Sequence, residues 1–182
     1  MDNGACSYRR FLDGDESAFD EIMDELFFKL VFFVDRYVRD VHTAEDIAMD
    51  VFSELIVHRH RYNFKVSLKT YLFMLGRSRA LDCLRHRKVM NITELSEANT
   101  VSDGQDLEEV VIRENTKLAV NKAIKQLPED MGIVIHLIYF EEMSYNEAAK
   151  VMKKSAKQVD NLLYRAKKQL RIILGEDGEH LL

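Results

Sequence analysis

Apolar residues recur at steps of three and four along most of the chain, the spacing that puts them on one face of an α-helix. In the N-terminal half this pattern predicts three helices, running from Asp15 or Ser17 to about Val38, from Thr43 to about His60 and from Leu68 to Lys88. Residues 62–67, between the last two, are predicted to form a loop. The single proline and the seven glycines also favour long helices. We therefore expect an all-α fold.

The middle of the chain interrupts this pattern. Residues 91–110 are rich in Ser, Thr, Asn, Asp and Gly without apolar periodicity, which is typical of a linker. Helical spacing then resumes at about residues 107–126, 130–140, 144–152 and 156–174. We expect two helical domains, a bundle (1–90) and a helix-turn-helix unit (113–175), joined by an acidic flexible linker (91–112) and followed by a tail (176–182).

The last two predicted helices form the helix-turn-helix. Ser144 and Glu147 have the spacing of a capping box at the start of the first helix. The second helix has an apolar inner face, and its other face holds side chains suited to base edges and phosphates: Lys157, Gln158, Asn161, Tyr164, Arg165 and Lys168. A solvated charged face would have a similar composition, so this helix alone does not establish DNA binding.

The distribution of charge adds a second indication. The chain has a formal net charge of −5, yet residues 1–57 carry −9, residues 58–90 carry +8, residues 91–115 carry −6 and residues 116–174 carry +5. The two basic blocks are separated by an acidic segment. Two separate basic blocks suit binding to a polyanion at two places.

The first basic block combines cations with aromatic residues. Arg77, Arg85 and Lys88 share one face of the third predicted helix, with Ser78 beside them. Just upstream and at the start of that helix, aromatic and basic residues alternate: Arg59, Arg61, Tyr62, Phe64, Lys65, Lys69, Tyr71 and Phe73. Aromatic rings among cations can hold unstacked bases of a single strand. The alternative is that the rings belong to the core, which for Tyr71 and Phe73 is equally well supported.

The second predicted helix carries an acidic row. Asp46, Asp50, Glu54 and His58 follow each other at steps of four, so they share one face. A metal site is disfavoured, because di-metal bundles use a Glu-x-x-His step of three and ligands from several helices. A solvated face and a docking face for a basic partner both remain open.

The chain lacks the motifs of common enzymes. It has no ordered Ser/His/Asp set, glycine-rich phosphate loop or paired-cysteine pattern, so we expect neither catalysis nor a cofactor. It also has no apolar run of membrane-spanning length and no signal segment. Cys6 and Cys83 form no metal or redox pattern. These features predict a cytoplasmic protein without membrane insertion.

Four motifs in order resemble bacterial RNA polymerase sigma factors of the extracytoplasmic-function (ECF) type. Residues 14–19 (GDESAF) resemble the family's opening, residues 43–52 (TAEDIAMDVF) its polymerase-docking helix, and residues 68–88 its −10 promoter-reading segment. Leu127–Pro128 followed by residues 139–149 (YFEEMSYNEAA) resembles the domain that reads the −35 element. The resemblance implies a sigma region 2 in residues 1–90 and a region 4 in residues 113–175.

The resemblance also implies roles for individual residues. Docking to the β′ clamp helices of core polymerase would use Asp46, Met49, Asp50, Ser53 and Glu54. Contacts to the −10 strand would use Arg61, Asn63, Phe64, Lys65, Ser67, Lys69, Arg77, Ser78, Arg85 and Lys88. Contacts to the −35 element would use Lys157, Gln158, Asn161, Tyr164, Arg165 and Lys168. Further implied partners are promoter DNA, the polymerase β flap and an anti-sigma factor.

Two other readings of the sequence remain. The protein could be a helix-turn-helix regulator whose N-terminal bundle binds proteins other than polymerase. It could also be a di-metal helical-bundle enzyme, a reading that metal analysis of the purified protein would test.

Overall fold

The computed structural model describes residues 3–93 and 122–174, and every regular element in these ranges is helical. The helices are α1 (Asn3–Leu12), α2 (Ser17–Val38), α3 (Val41–Val57), α4 (Leu68–Thr93), α5 (Glu129–Ile135), α6 (Tyr145–Met152) and α7 (Ala156–Leu174). They form two compact units. The all-α prediction is confirmed for this part of the chain. The predicted start of the linker at residue 91 is wrong, because α4 continues to Thr93, and residues 94–112 lie outside the described residues.

The N-terminal unit is organised around α2, which packs against α1, α3 and α4. The apolar stripe of α2 supplies the centre of the core, where Leu30, Phe33 and Val34 are fully buried. The ring of Phe33 lies 4.7 Å from that of Phe73 on α4, measured between centroids. Burial of such large apolar side chains is the main stabilising contribution to a helical bundle.

Gly76 sets the distance between α2 and α4. A Cβ atom at this position would lie 2.8 Å from Cδ1 of Leu30 and 3.2 Å from Cγ2 of Val34. The first distance is shorter than a van der Waals contact, so any larger residue would push the two helices apart or displace the Leu30 side chain. The backbone of α4 therefore lies directly against the side chains of α2.

The boundaries of the N-terminal helices agree in part with the prediction. The end of α2 at Val38 and the start of α4 at Leu68 are confirmed. The predicted start of the second helix after Thr43 is wrong, because α3 begins at Val41 and Thr43 lies inside its first turn. There the Thr43 hydroxyl donates a hydrogen bond to Oδ2 of Asp40 at 2.6 Å. The sequence did not predict α1.

In the C-terminal unit, α5 packs against α7 and leads into a π-helical turn, His136–Phe140, that precedes the helix-turn-helix. The side chains of His136 and Glu141 are both buried there, with Nε2 of the histidine 3.5 Å from Oε1 of the glutamate. The backbone N–H of Glu141 also donates to the carbonyl oxygen of His136 at 3.0 Å. Glu141 thus fixes the end of the π turn through both its backbone and its side chain.

Two capping boxes fix the first turns of the two helices of the helix-turn-helix. The predicted one is confirmed, because the backbone N–H of Ser144 donates to Oε2 of Glu147 at 3.0 Å and that of Glu147 donates to the Ser144 hydroxyl at 3.3 Å. A second, reciprocal box joins Ser155 and Gln158 at the start of α7. Each box satisfies two backbone donors that the helix itself leaves free.

Candidate nucleic-acid and polymerase interfaces

Four of the five residues proposed for docking lie on the open face of α3. Asp46, Asp50 and Ser53 are exposed, and Met49 is 50% exposed. Because they follow at steps of three and four, they form a continuous strip along the helix. Ile47, Val51 and Leu55 on the other side of α3 are buried.

Glu54 departs from this strip. Its side chain is only 10% exposed, and its carboxylate binds Arg61 of the loop after α3 and Arg79 of α4, with Oε2 2.7 Å from Nη2 of Arg79. The hydrogen bond from Arg79 is the main reason why the pKa of Glu54 lies below its usual value. Both carboxylate oxygens of Glu54 are thus engaged within the unit, and its implied contact with polymerase stays a prediction.

Two of the four aromatic residues in the basic block belong to the core. Tyr62 is 2% exposed and Phe73 is completely buried, so the core alternative is confirmed for Phe73 and also holds for Tyr62. The hydroxyl of Tyr62 donates to the carbonyl oxygen of Val66 at 2.7 Å and closes the loop from inside. Phe64 and Tyr71 are partly exposed and remain accessible to a ligand.

Phe64 has an unusual conformation at the tip of the loop. Its φ angle is +59°, in the left-handed region that is costly for an aromatic residue. Its ring lies 4.6 Å from that of Tyr62 and 6.2 Å from that of Tyr8 in α1, and the guanidinium of Arg9 lies 4.9 Å from its centroid. These contacts hold the ring in place. Strain of this kind is often found where a loop is shaped for binding.

Two other loop residues of the proposed −10 set shape the backbone. Oδ1 of Asn63 accepts a hydrogen bond from the backbone N–H of Lys65 at 3.1 Å. The hydroxyl oxygen of Ser67 accepts one from the backbone N–H of Thr70 at 3.1 Å, which caps the start of α4. Lys65 is exposed. The loop thus offers an aromatic ring and cations on a backbone that its own polar side chains define.

The predicted cations of α4 have different degrees of exposure. Arg85 and Lys88 are exposed, whereas Lys69, Arg77 and Ser78 are partly exposed. Sequence reasoning missed Arg79, and it missed Arg87, whose Nη2 donates to the Thr43 hydroxyl at 2.5 Å. Both missed arginines bind partners on α3 or just before it. No local spacing marks such pairs, because the partners are 25 or more residues away in the sequence.

The proposed −35 residues share the outer face of α7. Lys157, Asn161, Arg165 and Lys168 are exposed, and Tyr164 is 70% exposed. The opposite face is buried through Val159, Leu163, Ala166 and Leu170. The predicted division of the helix into two faces is therefore confirmed. Gln158 is also exposed, but its Oε1 accepts the backbone N–H of Ser155 at 2.8 Å, so part of its polar group is used in the cap.

Comparison with known proteins identifies the family. A model of sigma-70 region 2 matches residues 29–89, and a model of sigma-70 region 4 matches residues 117–170. The ECF RNA polymerase sigma factor SigW of Bacillus subtilis is 26% identical over 167 residues, which cover 87% of this chain and 89% of SigW. The chain belongs to the ECF sigma factors.

Other similar proteins agree. The RNA polymerase sigma-H factor of Pseudomonas aeruginosa is 26% identical over 168 residues, 86% of each chain. Among solved structures, a sigma factor RpoE of Bartonella quintana in complex with the anti-sigma factor NepR has a TM-score of 0.67 at 19% identity and covers 87% of this chain and 98% of its own. CnrH in complex with the cytosolic domain of CnrY has a TM-score of 0.66 at 18% identity and covers 98% and 99%. These two structures share the fold of this chain.

Family membership gives the protein its general role. As an ECF sigma factor it is a promoter-specificity factor, which binds core RNA polymerase, recognises −10 and −35 elements and directs the initiation of transcription. Sigma factors are initiation factors without an enzymatic role of their own. The alternative of a regulator that does not bind polymerase is not favoured. Among the described helices, none combines the length and the apolar character needed to cross a membrane.

Proposed function

We propose that the two units divide promoter recognition between them. Residues 1–90 act as region 2, which docks on polymerase and captures the −10 strand, and residues 113–175 act as region 4, which reads the −35 element. Residues 94–112 would connect them, with 176–182 as a tail. Support comes from one observation above all: each unit exposes a compact set of polar side chains on a surface whose opposite side is buried.

For docking we propose the exposed strip of α3: Asp46, Met49, Asp50 and Ser53. Its partner would be the β′ clamp helices of core polymerase, with a further contact to the β flap from the C-terminal unit. The carboxylates favour a basic partner surface, which agrees with the net charge of −9 in residues 1–57. We assign Glu54 a different role from its neighbours, namely to orient Arg61 and Arg79.

For the −10 element we propose that the loop between α3 and α4 holds a base extruded from the non-template strand. Phe64 would stack on that base, while Arg61, Lys65, Lys69, Arg77, Arg85 and Lys88 neutralise phosphates. Asn63, Ser67 and Ser78 would shape or line the same surface. Support comes from the half-buried ring of Phe64, from the left-handed backbone that holds it at the tip of the loop, and from the exposed cations Arg61 and Lys65 beside it.

For the −35 element we propose that α7 enters the major groove. Asn161, Tyr164 and Arg165 would reach base edges, with Lys157 and Gln158 near the helix start and Lys168 on the DNA backbone. The Ser155–Gln158 box supports this role, because it fixes the N-terminal turn of α7 that a recognition helix presents to the bases.

We also propose an anti-sigma partner and a cytoplasmic location. The two solved structures of similar fold contain an anti-sigma factor or the cytosolic domain of a second protein. A protein that binds core polymerase and promoter DNA works where those two partners are. We assign it no catalytic residue, metal or cofactor. Run-off transcription with core polymerase on the promoter upstream of its own gene tests the whole proposal, and a lack of any specific transcript would contradict it.

The docking assignment is tested by Asp50→Lys. We expect the variant to lose co-elution with core polymerase, because a like charge against a basic clamp costs several kcal/mol at an interface. Its stability should change by no more than about 0.5 kcal/mol, since Asp50 is exposed. Asp24→Lys is the matched control: it makes the same charge change at an exposed position of α2 and should co-elute normally. Normal co-elution of Asp50→Lys would show that docking occurs elsewhere.

A further inference from the structure

The first helix contacts the −10 loop although it precedes the residues that the region 2 model matches. Tyr8 of α1 is completely buried, and its hydroxyl lies 3.0 Å from the carbonyl oxygen of Leu55 and 2.9 Å from that of Arg59. Leu55 is in the last turn of α3 and Arg59 is in the loop. The matched segment begins at residue 29, so Tyr8 lies outside it.

The same tyrosine also contacts the rings of the loop. Its centroid lies 5.6 Å from that of Tyr62, edge to face, and 6.2 Å from that of Phe64. Burial raises the pKa of Tyr8 to about 12, so the hydroxyl stays a neutral hydrogen-bond donor at physiological pH. Tyr8 therefore ties the start of the loop to α1 through its hydroxyl and supports the tip of the loop through its ring.

The next residue places a positive charge at the proposed base site. Arg9 is exposed, and its guanidinium lies over the ring of Phe64 at 4.9 Å from the centroid. An arginine that lies over an aromatic ring keeps N–H donors at its edge, which can bind phosphate oxygens. Arg59 lies over the ring of Phe11 in the same manner, at 4.6 Å. The loop is thus bordered on the α1 side by two guanidinium groups.

We infer that α1 is a working part of the −10 surface, in which Tyr8 positions the loop and Arg9 binds a phosphate of the strand beside the base held at Phe64. This inference rests on the proposed function of the loop. It adds a cation that neither the sequence pattern nor the region 2 match contains. It also gives a physical reason why Phe64 keeps a strained conformation, since contacts from α1 hold the ring there.

Arg9→Gln in reconstituted holoenzyme tests the role of the cation, with Arg10→Gln as the matched control. Arg10 is its neighbour on α1, but its guanidinium binds Asp15 and Glu21 at 2.6 and 2.9 Å and does not contact the loop. The probe is a fluorescently labelled promoter fragment unpaired across the −10 element, titrated at several salt concentrations. We expect Arg9→Gln to weaken binding several-fold and to reduce the slope of log K against log salt by about 0.7, the value for one single-strand phosphate contact. Arg10→Gln should leave the slope unchanged.

Tyr8→Phe tests the positioning role, because it removes the hydroxyl and keeps the ring. We expect normal co-elution with core polymerase and an unchanged slope of log K against log salt. Opening of a duplex promoter, measured by the permanganate reactivity of unpaired thymines, should be several-fold slower. A fragment already unpaired at −10 should recover much of the loss, which general unfolding would not allow. The thermal unfolding curve of the variant gives the fraction of folded protein at the assay temperature. This fraction shows whether unfolded protein accounts for any deficit.

The outcomes separate the inference from the function on which it rests. If wild-type holoenzyme opens the promoter but Arg9→Gln retains the wild-type slope, or Arg10→Gln loses as much as Arg9→Gln, the role of Arg9 is wrong. If Tyr8→Phe opens the duplex at the wild-type rate, its positioning role is wrong. If the wild-type protein forms holoenzyme without preference for the −10 sequence, the proposed function of the loop itself fails.

Discussion

The two candidate DNA surfaces are built in different ways. The −35 face consists of side chains along a single helix, α7, all exposed within twelve residues of each other. The −10 surface is assembled from α1, α3, α4 and the loop, and it is held by contacts between residues as far apart as Tyr8 and Arg59. A duplex offers its base edges in an open groove, whereas a single strand must be held and its bases unstacked. The first task needs one exposed helix face, and the second needs a preformed loop.

The comparison predicts its largest effect for the loop. The test replaces residues 63–66 by a Gly/Ser segment of equal length and keeps Ser67 as the cap of α4. We expect open-complex formation to fall roughly tenfold or more, because base–aromatic stacking is worth about 1–3 kcal/mol per base. Binding to core polymerase should be retained. Permanganate footprinting measures opening, and a template already unpaired at −10 should recover part of the loss. Normal footprints would mean that the loop is only a connector.

A smaller effect is expected on α7. Arg165→Ala should weaken holoenzyme binding to promoters with an intact −35 element by about 1–3 kcal/mol, and transcription from them should fall accordingly. It should also relax base preference at one position. Lys168→Ala is the matched comparison. Loss of a phosphate contact should weaken binding to all sequences evenly and reduce the slope of log K against log salt by about one. Gel-shift titrations of holoenzyme against −35 variants measure both. An equal loss on every variant for Arg165→Ala would make Arg165 a phosphate contact.

The long-range contacts of the −10 surface predict a pH-dependent stability. The hydrogen bond from Arg79 and the charges of Arg79 and Arg61 hold the pKa of Glu54 below that of an ordinary glutamate. A lowered folded-state pKa contributes stability above the unfolded-state pKa, and this contribution disappears as pH falls through the folded-state value. We expect Glu54→Gln to be less stable than wild type by about 1 kcal/mol or less at pH 7, since both arginines are half exposed. The difference in the free energy of unfolding between the two proteins should narrow below about pH 4.5.

Urea unfolding at neutral and acidic pH measures this difference. Asp46→Asn is the control, because Asp46 is an exposed carboxyl of the same helix, and it should show no such gap. A Glu54→Gln variant that is as stable as wild type at pH 7 would mean that the bridge between α3 and α4 contributes nothing. Such a result would weaken the contrast with α7, because the −10 surface would then depend on packing alone.

The smallest effect concerns two residues with positive φ, one in each unit. Glu142, ahead of the helix-turn-helix, has φ of 52° and is exposed. We expect Glu142→Gly to raise stability by about 0.5 kcal/mol, because relief of the left-handed strain exceeds the added flexibility of the unfolded chain. Phe64→Gly relieves similar strain but loses the ring contacts, so it should lower both stability and promoter opening. The midpoints of thermal unfolding of the two variants measure these changes in stability. Equal shifts of both midpoints in the same direction would contradict the expected difference between Glu142 and Phe64.

The sequence predicted the elements whose signals are local. The end of α2, the start of α4, the Ser144–Glu147 box and the two faces of α7 follow from spacing within a few residues, and the structure confirms them. The family resemblance rests on motifs of the same kind. The helix predicted at about residues 107–126 begins outside the described residues, so its start stays a prediction.

Features that depend on distant residues could not be predicted in this way. Tyr62, Phe64, Tyr71 and Phe73 lie in one alternating pattern, yet packing against α1 and α2 buries the first and last and leaves the others partly exposed. The binding of Glu54 to Arg79 joins two helices across 25 residues. The helix α1 was missed because its two aromatic residues, Tyr8 and Phe11, are too few to define a helical period.

The close approach of α2 and α4 at Gly76 has a geometric consequence for initiation. The proposed docking strip on α3 and the proposed strand-holding residues on α4 belong to helices that both pack on α2. The distance between the docking strip and the strand-holding residues is then fixed by packed side chains. The contact of Leu30 and Val34 with Gly76 is one of the contacts that fix it. A residue that touches neither DNA nor polymerase would thereby help to determine at which nucleotide transcription starts.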